Sequence, residues 1–314
     1  MIGLNIFAVI NTDFVGSLEV LQEAVNVKYS FVIGVMLLVY DVVINLTCEI
    51  ELIWMCRWSL GKIIYILARY CGFVDAVVIL YYSFSANLTT ESCHMPFVIA
   101  VWCITFGIEI CHCVLIVRTF VIWERNMLVL AYTCLFQLTG IVVKVIVISR
   151  MIKKVTFTPS LMPSLCACIP SLGTDTVLIV FCIDVVFEFQ ILILSLYKGF
   201  FRWKLLSTPL ARTLYRDGFI YFAVLFCISV TNTFVNRLLF STPYSMIVII
   251  IQRVFHSILA SRIIINLRSA VSERFESQFP TISMAVFQNG QTQSDVTTGQ
   301  HISGSIEHHM YQLD

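Results

Sequence analysis

Eight ionisable side chains lie within stretches that are otherwise apolar, where an unpaired charge is energetically unfavourable. Five are acids and three are bases: Asp41, Asp75, Glu109, Asp184, Glu188, Arg69, Lys144 and Arg253. A charge near the centre of a membrane helix costs about 2.5 to 3.5 kcal/mol. Eight uncompensated charges would therefore cost more than about 20 kcal/mol. We expect these groups to face one another, to face water, or to be neutral.

Several of these residues have a polar neighbour three or four positions away, which places both on one face of a helix. The pairs are Glu109 with His112, Asp184 with Glu188, and Arg253 with His256. Together with Asp75 they form a candidate site for a ligand or for protons, because ionisable residues inside a membrane are usually functional. The alternative is a set of buried ion pairs that only fixes the packing of the helices.

Seven apolar stretches of about 20 residues must position these side chains, and each is long enough to cross a hydrocarbon core of about 30 Å. The predicted spans are 29–47, 63–84, 97–119, 127–148, 174–196, 219–239 and 244–265. Composition agrees, since 59% of the residues are hydrophobic, 12% are charged and mean hydropathy is +0.89. Helices satisfy their own backbone in lipid. The sequence predicts an all-α integral membrane protein, a seven-transmembrane-helix bundle, in the plasma membrane or an endomembrane.

The depth of the ionisable residues along their spans indicates which of them could form one site. The midpoints of spans two, three, five and seven fall beside Asp75, Glu109, Asp184 and Arg253. Four helices thus bring polar groups to one level, which predicts a polar cavity at the midplane of the bilayer. Asp41 and Arg69 lie at a shallower level on neighbouring spans, and we expect them to form an ion pair.

The distribution of lysine and arginine predicts orientation, because loops on the cytoplasmic side retain positive charge. With the N-terminus outside, twelve of the 20 basic residues lie inside and five outside, the others being within spans. The contrary evidence is the outer trio Arg150, Lys153 and Lys154. We predict an N-out/C-in bundle with an extracytoplasmic segment over residues 1–28, the membrane bundle over 29–265, and a largely disordered cytoplasmic tail over 266–314.

The outer loops carry two candidate modifications. Asn87 begins an Asn-Leu-Thr sequon, which is a glycosylation candidate if this loop is extracytoplasmic. Cys93 precedes the third span, and Cys166 and Cys168 lie in the long loop between spans four and five. A disulfide from Cys93 to either of the other two would attach that loop to the bundle in an oxidising compartment.

A set of polar and aromatic residues marks the end of the first span and the start of the second. It comprises Tyr40-Asp41, Leu46-Thr47, Glu49, Glu51, Ile53-Trp54, Trp58-Ser59-Leu60-Gly61-Lys62 and Arg69-Tyr70. This set closely resembles the N-terminal domain of unknown function that defines a large group of basidiomycete fungal multi-span membrane proteins, and the resemblance covers about residues 31–75. It implies no activity and supplies no functional residues.

We interpret this segment as a hinge at the membrane surface. Trp54 and Trp58 are expected at headgroup depth, where indoles prefer to lie. Lys62 is expected to face anionic lipid, and Gly61 to allow the chain to turn into the second span. Anchoring in the interface is the simpler interpretation; docking of a cytoplasmic partner is the alternative.

Enzyme motifs are missing from the sequence. Glu109 and His112 make a Glu-x-x-His pair, but the second copy that a dimetal site needs does not occur. Only two histidines lie within spans, and a zinc enzyme needs about three protein ligands. There is no Gly-x-Ser-x-Gly elbow, Walker loop or dinucleotide fingerprint. We therefore predict no enzyme activity, no metal and no cofactor, and the scattered basic residues favour no nucleic-acid partner.

The layout is most typical of a receptor-like protein that senses a ligand and contacts the lipid bilayer. The loop between spans five and six contains Arg202, Trp203 and Lys204, a candidate surface for a cytoplasmic signalling partner or for anionic lipid. Asp-Arg-Tyr after span three and Asn-Pro-x-x-Tyr in span seven are both absent, so the likeness to seven-helix receptors is one of layout only. A transporter or proton-coupled channel that uses the midplane acids, and a purely structural protein, remain alternatives.

Overall fold

The structure is a computed structural model, and it describes residues 2–85, 92–159, 168–171, 174–203, 209–238 and 244–278. Within these ranges some stretches, including 2–21, 199–203 and 209–218, are described by their backbone alone.

Seven helices dominate the described chain. They are α1 (Ile2–Glu49), α2 (Leu60–Phe84), α3 (His94–Ile122), α4 (Met127–Lys154), α5 (Thr174–Trp203), α6 (Pro209–Leu238) and α7 (Ser245–Gln278). Each contains a segment that is long and apolar enough to cross a membrane. The predicted set of seven helices long enough to span a membrane is confirmed.

The first and last helices are longer than their predicted spans. α1 begins at Ile2 and carries residues 2–28 in the same helix as the first span, then passes into one turn of π-helix over Ile50–Trp54. α7 continues to Gln278, well past residue 265. The predicted ends were placed where hydropathy falls, but a helix that leaves the bilayer keeps its backbone hydrogen bonds and need not end there. Residues 279–314 of the predicted tail lie outside the described residues.

At one end of the bundle, side-chain caps begin two helices and a tight turn separates α3 from α4. Ser59 caps α2 by accepting a hydrogen bond from the Lys62 backbone N–H, and Asn126 caps α4 by accepting from that of Leu128. Between α3 and α4, Glu124 and Arg125 adopt φ values of 57° and 61°. These two left-handed residues reverse the chain in a tight turn.

A short hairpin covers the opposite end of the bundle. β1 (Thr156–Pro159) pairs antiparallel with β2 (Cys168–Ser171), with Thr156 opposite Ser171. The ring of Phe157 on β1 meets Phe97 of α3 edge-on, at 5.6 Å between centroids. We call this end the hairpin side, and the other end, which carries residues 50–59, the motif side.

Cys93 lies at the hairpin side, directly before α3, and is disulfide-bonded. Cys166 lies outside the described residues, and Cys168 is described only by its backbone in β2. Which of them is the partner of Cys93 stays a prediction. Cysteines within the spans, such as Cys71 and Cys103, are free.

The apolar core lies around α3, which contacts α2, α4, α5 and α7. Its fully buried side chains interlock in one cluster that includes Ala68, Leu115, Phe187, Ile191, Leu225 and Ile263. Large apolar side chains also cover the outward faces of the helices, for example Val77, Leu135 and Val186. Such faces fit contact with the lipid bilayer.

Candidate functional site

A buried lysine joins two acids near the middle of the bundle. Lys144 Nζ on α4 donates a hydrogen bond to Asp184 Oδ1 on α5 at 2.6 Å and another to Glu109 on α3. All three side chains are buried. We call Glu109, Lys144 and Asp184 the triad. Lys144 was counted among the charges within spans but was missed as a site residue, because it lies off the midpoint of its predicted span and reaches the acids with its long side chain.

Gln137 connects the triad to the first histidine. Its side-chain nitrogen donates to Glu109 Oε2 and lies 3.1 Å from His112 Nδ1. Gln137 lies two helical turns before Lys144 on the same face of α4. An uncharged amide inside an apolar span gives a weaker sequence signal than a charge, and this residue was missed.

Two histidines converge on one carboxylate oxygen. Glu188 Oε1 on α5 lies 3.1 Å from His256 Nε2 on α7 and 3.7 Å from His112 Nε2 on α3. Both histidines are fully buried, and Glu188 is 2% exposed. Ser229 on α6 donates to the same oxygen at 2.8 Å. We call His112, Glu188 and His256 the histidine cluster.

Amide side chains extend the network into α6. Gln252 on α7 donates to Ser229 Oγ at 3.0 Å, and Asn232 donates to Gln252. Asn236 in turn donates to the backbone carbonyl of Asn232 at 3.0 Å. A buried chain of polar contacts thus runs from the triad to α6, with its longest step, 3.7 Å, between His112 Nε2 and Glu188 Oε1, and none of its amides was predicted.

Asp75 and Arg253 form a separate pair. Arg253 Nε donates to Asp75 Oδ2 at 2.6 Å, joining α7 to α2. The guanidinium lies directly against Gly107 of α3, where a methyl group would overlap it. Of the four residues predicted at one level, the structure pairs Asp75 with Arg253, and brings Glu109 and Asp184 together through Lys144.

Charge in this region is unbalanced. Among the described residues, the buried acids Asp75, Glu109, Asp184 and Glu188 have two permanently charged cations beside them, Lys144 and Arg253. With all four acids ionised and both histidines neutral, one negative charge at the triad and one at Glu188 would have no cation to balance them. In a low-dielectric interior such an excess is costly unless protons, a metal ion or a cationic ligand offset it.

A cavity of about 170 Å³ lies between the triad and the hairpin side. Its walls are apolar side chains of α1, α2, α3, α4, α5 and α7, including Phe31, Ile79, Phe97, Ile104, Ile148, Val180 and Ile249. All three triad residues line it as well. The predicted polar cavity is therefore an apolar chamber with one charged surface.

A second buried network holds α1, α2 and α7 together on the motif side. Arg69 Nη1 lies 3.0 Å from Asp41 Oδ2 and donates to Ser261 Oγ at the same distance. Arg69 Nε lies 3.1 Å from Glu49 Oε2. Arg262 of α7 also reaches Asp41, at 2.8 Å. The predicted Asp41–Arg69 pair is thus one contact in a larger network.

Glu49 and the aromatic residues near it complete this network. Glu49 Oε1 accepts hydrogen bonds from the Tyr70 hydroxyl at 2.7 Å and from Trp54 Nε1 at 3.2 Å. Trp58 remains exposed, as its predicted place at headgroup depth requires. The first-loop residues therefore pack largely against their own helices.

The expectation that Lys62 faces lipid is wrong. Lys62 is only 4% exposed, because its ammonium donates to the backbone carbonyls of Trp54 and Cys56 at 3.1 and 2.8 Å. It also lies over the Trp58 ring, at 4.9 Å from the centroid. Carbonyls left open at a helix end attract a cation. Gly61 does not form the turn either, since it lies within α2 and the described glycines include none with positive φ.

The remaining candidate residues lie outside the described residues or are described by their backbone alone. Asn87 and Lys204 lie outside the described residues. Arg202 and Trp203 belong to the last turn of α5, which is described by its backbone alone. Glycosylation at Asn87 and a partner surface at residues 202–204 stay predictions.

Comparison with known proteins gives one match. Residues 29–74 match a family of unknown function, DUF6533. This stretch covers the second half of α1, the π-helical turn and the first part of α2, and so contains Asp41, Glu49 and Arg69. No curated protein and no solved structure matches the chain.

Proposed function

We propose that this protein is a receptor-like membrane protein that binds a small, mainly apolar molecule in the cavity above the triad. The supporting observation is the chamber itself, whose apolar walls end at three charged side chains. Ligand sites of this kind combine an apolar lining with a few polar groups that orient the ligand. In this proposal the hairpin side faces outside, in keeping with the distribution of basic residues.

Size and charge define the ligand. An apolar cavity of about 150 Å³ is enough to hold benzene, so a chamber of about 170 Å³ admits a molecule of similar or slightly larger size. If Glu109 and Asp184 are both ionised, they carry one more charge than Lys144 neutralises. A cationic head therefore gains more here than a neutral or anionic one, and a small aromatic or alkyl primary amine fits best.

The triad also provides a route from the cavity to the rest of the bundle. A ligand ammonium that contacts Asp184 competes with Lys144 for the same carboxylate. Movement of Lys144 would change the contacts of Glu109 with Gln137, and through His112 those of α7. The motif-side end of α5, with Arg202 and Trp203, is the proposed surface for a cytoplasmic partner.

Binding of 2-phenylethylamine to the purified protein in lipid nanodiscs tests this function. We expect isothermal titration to show one saturable site for the amine and weaker binding of 2-phenylethanol, which lacks the charge. Val180→Phe takes up part of the chamber and should weaken the binding markedly. Val186→Phe makes the same change on the exposed face of α5, where Val186 is 53% exposed, and should leave binding intact. Equal binding by both variants would refute the proposal.

A proton-coupled transporter or channel is the second candidate, favoured by the buried polar contacts that run from the triad to Asn236. Such a chain can carry protons if its hydroxyl, imidazole and carboxyl groups exchange them. Reconstituted vesicles with a pH-sensitive dye would then show proton flux that Asp184→Asn reduces. If neither binding nor flux is found, the polar groups serve only to fix helix packing.

A further inference from the structure

We propose that the histidine cluster is a binding site for a divalent transition-metal ion, with Zn²⁺ as the ion that its ligand set favours. His112, Glu188 and His256 come from three different helices, and this site is separate from the ligand cavity. Sequence reasoning predicted no metal because only two histidines lie within spans. The structure supplies Glu188 as the third ligand.

The spacing of the ligand atoms fits such an ion. The two histidine nitrogens lie 3.1 and 3.7 Å from Glu188 Oε1, and one ligand atom from each residue lies within 4.8 Å of the others. Zinc binds nitrogen and oxygen at about 2.0 to 2.2 Å, so neighbouring ligands of a tetrahedral ion are about 3.3 Å apart. Two histidines and a carboxylate are a known zinc ligand set that leaves one position open.

The hydrogen bonding of the cluster is incomplete without an ion. His112 Nε2, both ring nitrogens of His256 and Glu188 Oε2 are buried, and none has a hydrogen-bond partner of good geometry among the described residues. Buried polar atoms are normally satisfied. An ion held between the two Nε2 atoms and the carboxylate would give these three groups a partner and offset the charge of an ionised Glu188, and His256 Nδ1 would remain without a partner among the described residues.

A second trio, Glu109, His112 and Asp184, also has metal-ligand spacing. Lys144 already lies between its two acids, 2.6 Å from Asp184 Oδ1. An ammonium at this place repels a metal ion and occupies the carboxylate oxygens that would bind it. The histidine cluster contains no such cation.

Metal binding would also determine which ring nitrogen of His112 carries the proton. An ion on Nε2 requires the ring proton to be on Nδ1, which faces the Gln137 amide at 3.1 Å. Gln137 must then turn its oxygen toward the ring, which removes its hydrogen bond to Glu109 Oε2 and requires that oxygen to move away, while Lys144 keeps its contact with Glu109 Oε1. Amide oxygen and nitrogen are distinguished only by their hydrogen bonds, and the contact with Glu109 favours the present orientation while no ion is bound. A second partner of this kind fixes the tautomer of a metal-bound histidine.

Metal analysis of the whole chain, purified without an affinity tag and reconstituted with ZnCl₂, tests the site. We expect about one equivalent of zinc per chain after dialysis, and substitution by Co²⁺ should give the visible absorption of a tetrahedral site. His256→Asn and Glu188→Gln should each lower the zinc content to below about a tenth of an equivalent. Asp184→Asn, in the second trio, should retain it.

Two further variants make the result decisive. His301, His308 and His309 lie in the C-terminal tail, and their combined replacement by Asn should leave the bound zinc unchanged. His256→Cys keeps a zinc ligand in place, and with Co²⁺ it should add a thiolate charge-transfer band that wild type lacks. This readout does not depend on whether the Asn and Gln variants fold. The proposal fails if the wild-type protein retains no zinc, if Glu188→Gln retains it, or if His256→Cys leaves the cobalt spectrum unchanged.

Discussion

Lys144 is the residue whose loss the structure predicts to be most damaging, because it is the only cation between two buried acids. Replacement of one partner in a buried ion pair costs about 3 to 5 kcal/mol, since the other charge stays buried and unpaired. We expect Lys144→Met to lower the free energy of unfolding by about this amount. Unfolding of the purified protein in a denaturing detergent measures it.

Lys153 provides the matched control, because it lies on the same helix but is exposed at the hairpin side. Lys153→Met should change the free energy of unfolding by less than about 0.5 kcal/mol. Similar losses in both variants would mean that the Lys144 ammonium is not held between Glu109 and Asp184.

Residue types in the sequence were enough to identify which side chains need partners, but not to pair all of them. Asp41 and Arg69 were paired correctly because they lie on neighbouring antiparallel spans, whose relative depth the sequence defines. Asp75 and Arg253 were placed at one level with Glu109, yet they pair with each other. Lateral neighbours depend on how the helices are arranged around the bundle, and hydropathy carries no information about that arrangement.

At the scale of elements, α7 acts as a clamp on the turn between α1 and α2. Arg268 donates to the backbone carbonyl of Leu52 at 2.9 Å and to the Ser59 hydroxyl at the same distance. Arg268→Ala should free a carbonyl of the π-helical turn and weaken the cap of α2, at a cost of about 1 to 3 kcal/mol. The turn should then open more often.

Maleimide labelling of Cys56, resolved by peptide mass spectrometry, reports this opening. Cys56 is partly buried within the turn, and its carbonyl accepts a hydrogen bond from Lys62. We expect labelling to be several-fold faster in Arg268→Ala than in wild type. Lys198→Ala, which removes a more distant ion pair with Glu124, should not change the rate. Equal rates in all three proteins would contradict the clamp.

Helix positions were predicted well, and helix ends less so. The spans between 63 and 148 match α2, α3 and α4 closely, since hydropathy defines the part of each helix that lies in lipid. The π-helical turn at Ile50–Trp54 and the extension of α7 to Gln278 were not foreseen. Arg268 on the extended part of α7 contacts Leu52 in the turn, and such contacts between helices cannot be read from the hydropathy of a single span.

At the scale of the whole molecule, the orientation of the bundle determines which side the cavity faces. If the hairpin side is outside, a protease added to intact cells should cut near that side and leave the C-terminal tail whole. An epitope at Asp314 should become accessible only after permeabilisation, and immunofluorescence measures this directly. Staining of intact cells would show that the C-terminus is outside, so that the orientation is the reverse of the predicted one and the cavity faces the cytoplasmic side.

The contact of Arg69 with α7 can form only late in the synthesis of the chain. Ser261, which accepts from Arg69, lies 192 residues further along the chain. At a synthesis rate of about 5 to 20 residues per second, roughly 10 to 40 s pass between translation of the two. During that interval the segment that matches the known family is already in the membrane with its polar network incomplete. A nascent chain that stops before α7 would present these groups to quality control, so residues 29–74 should not be treated as a unit that matures alone.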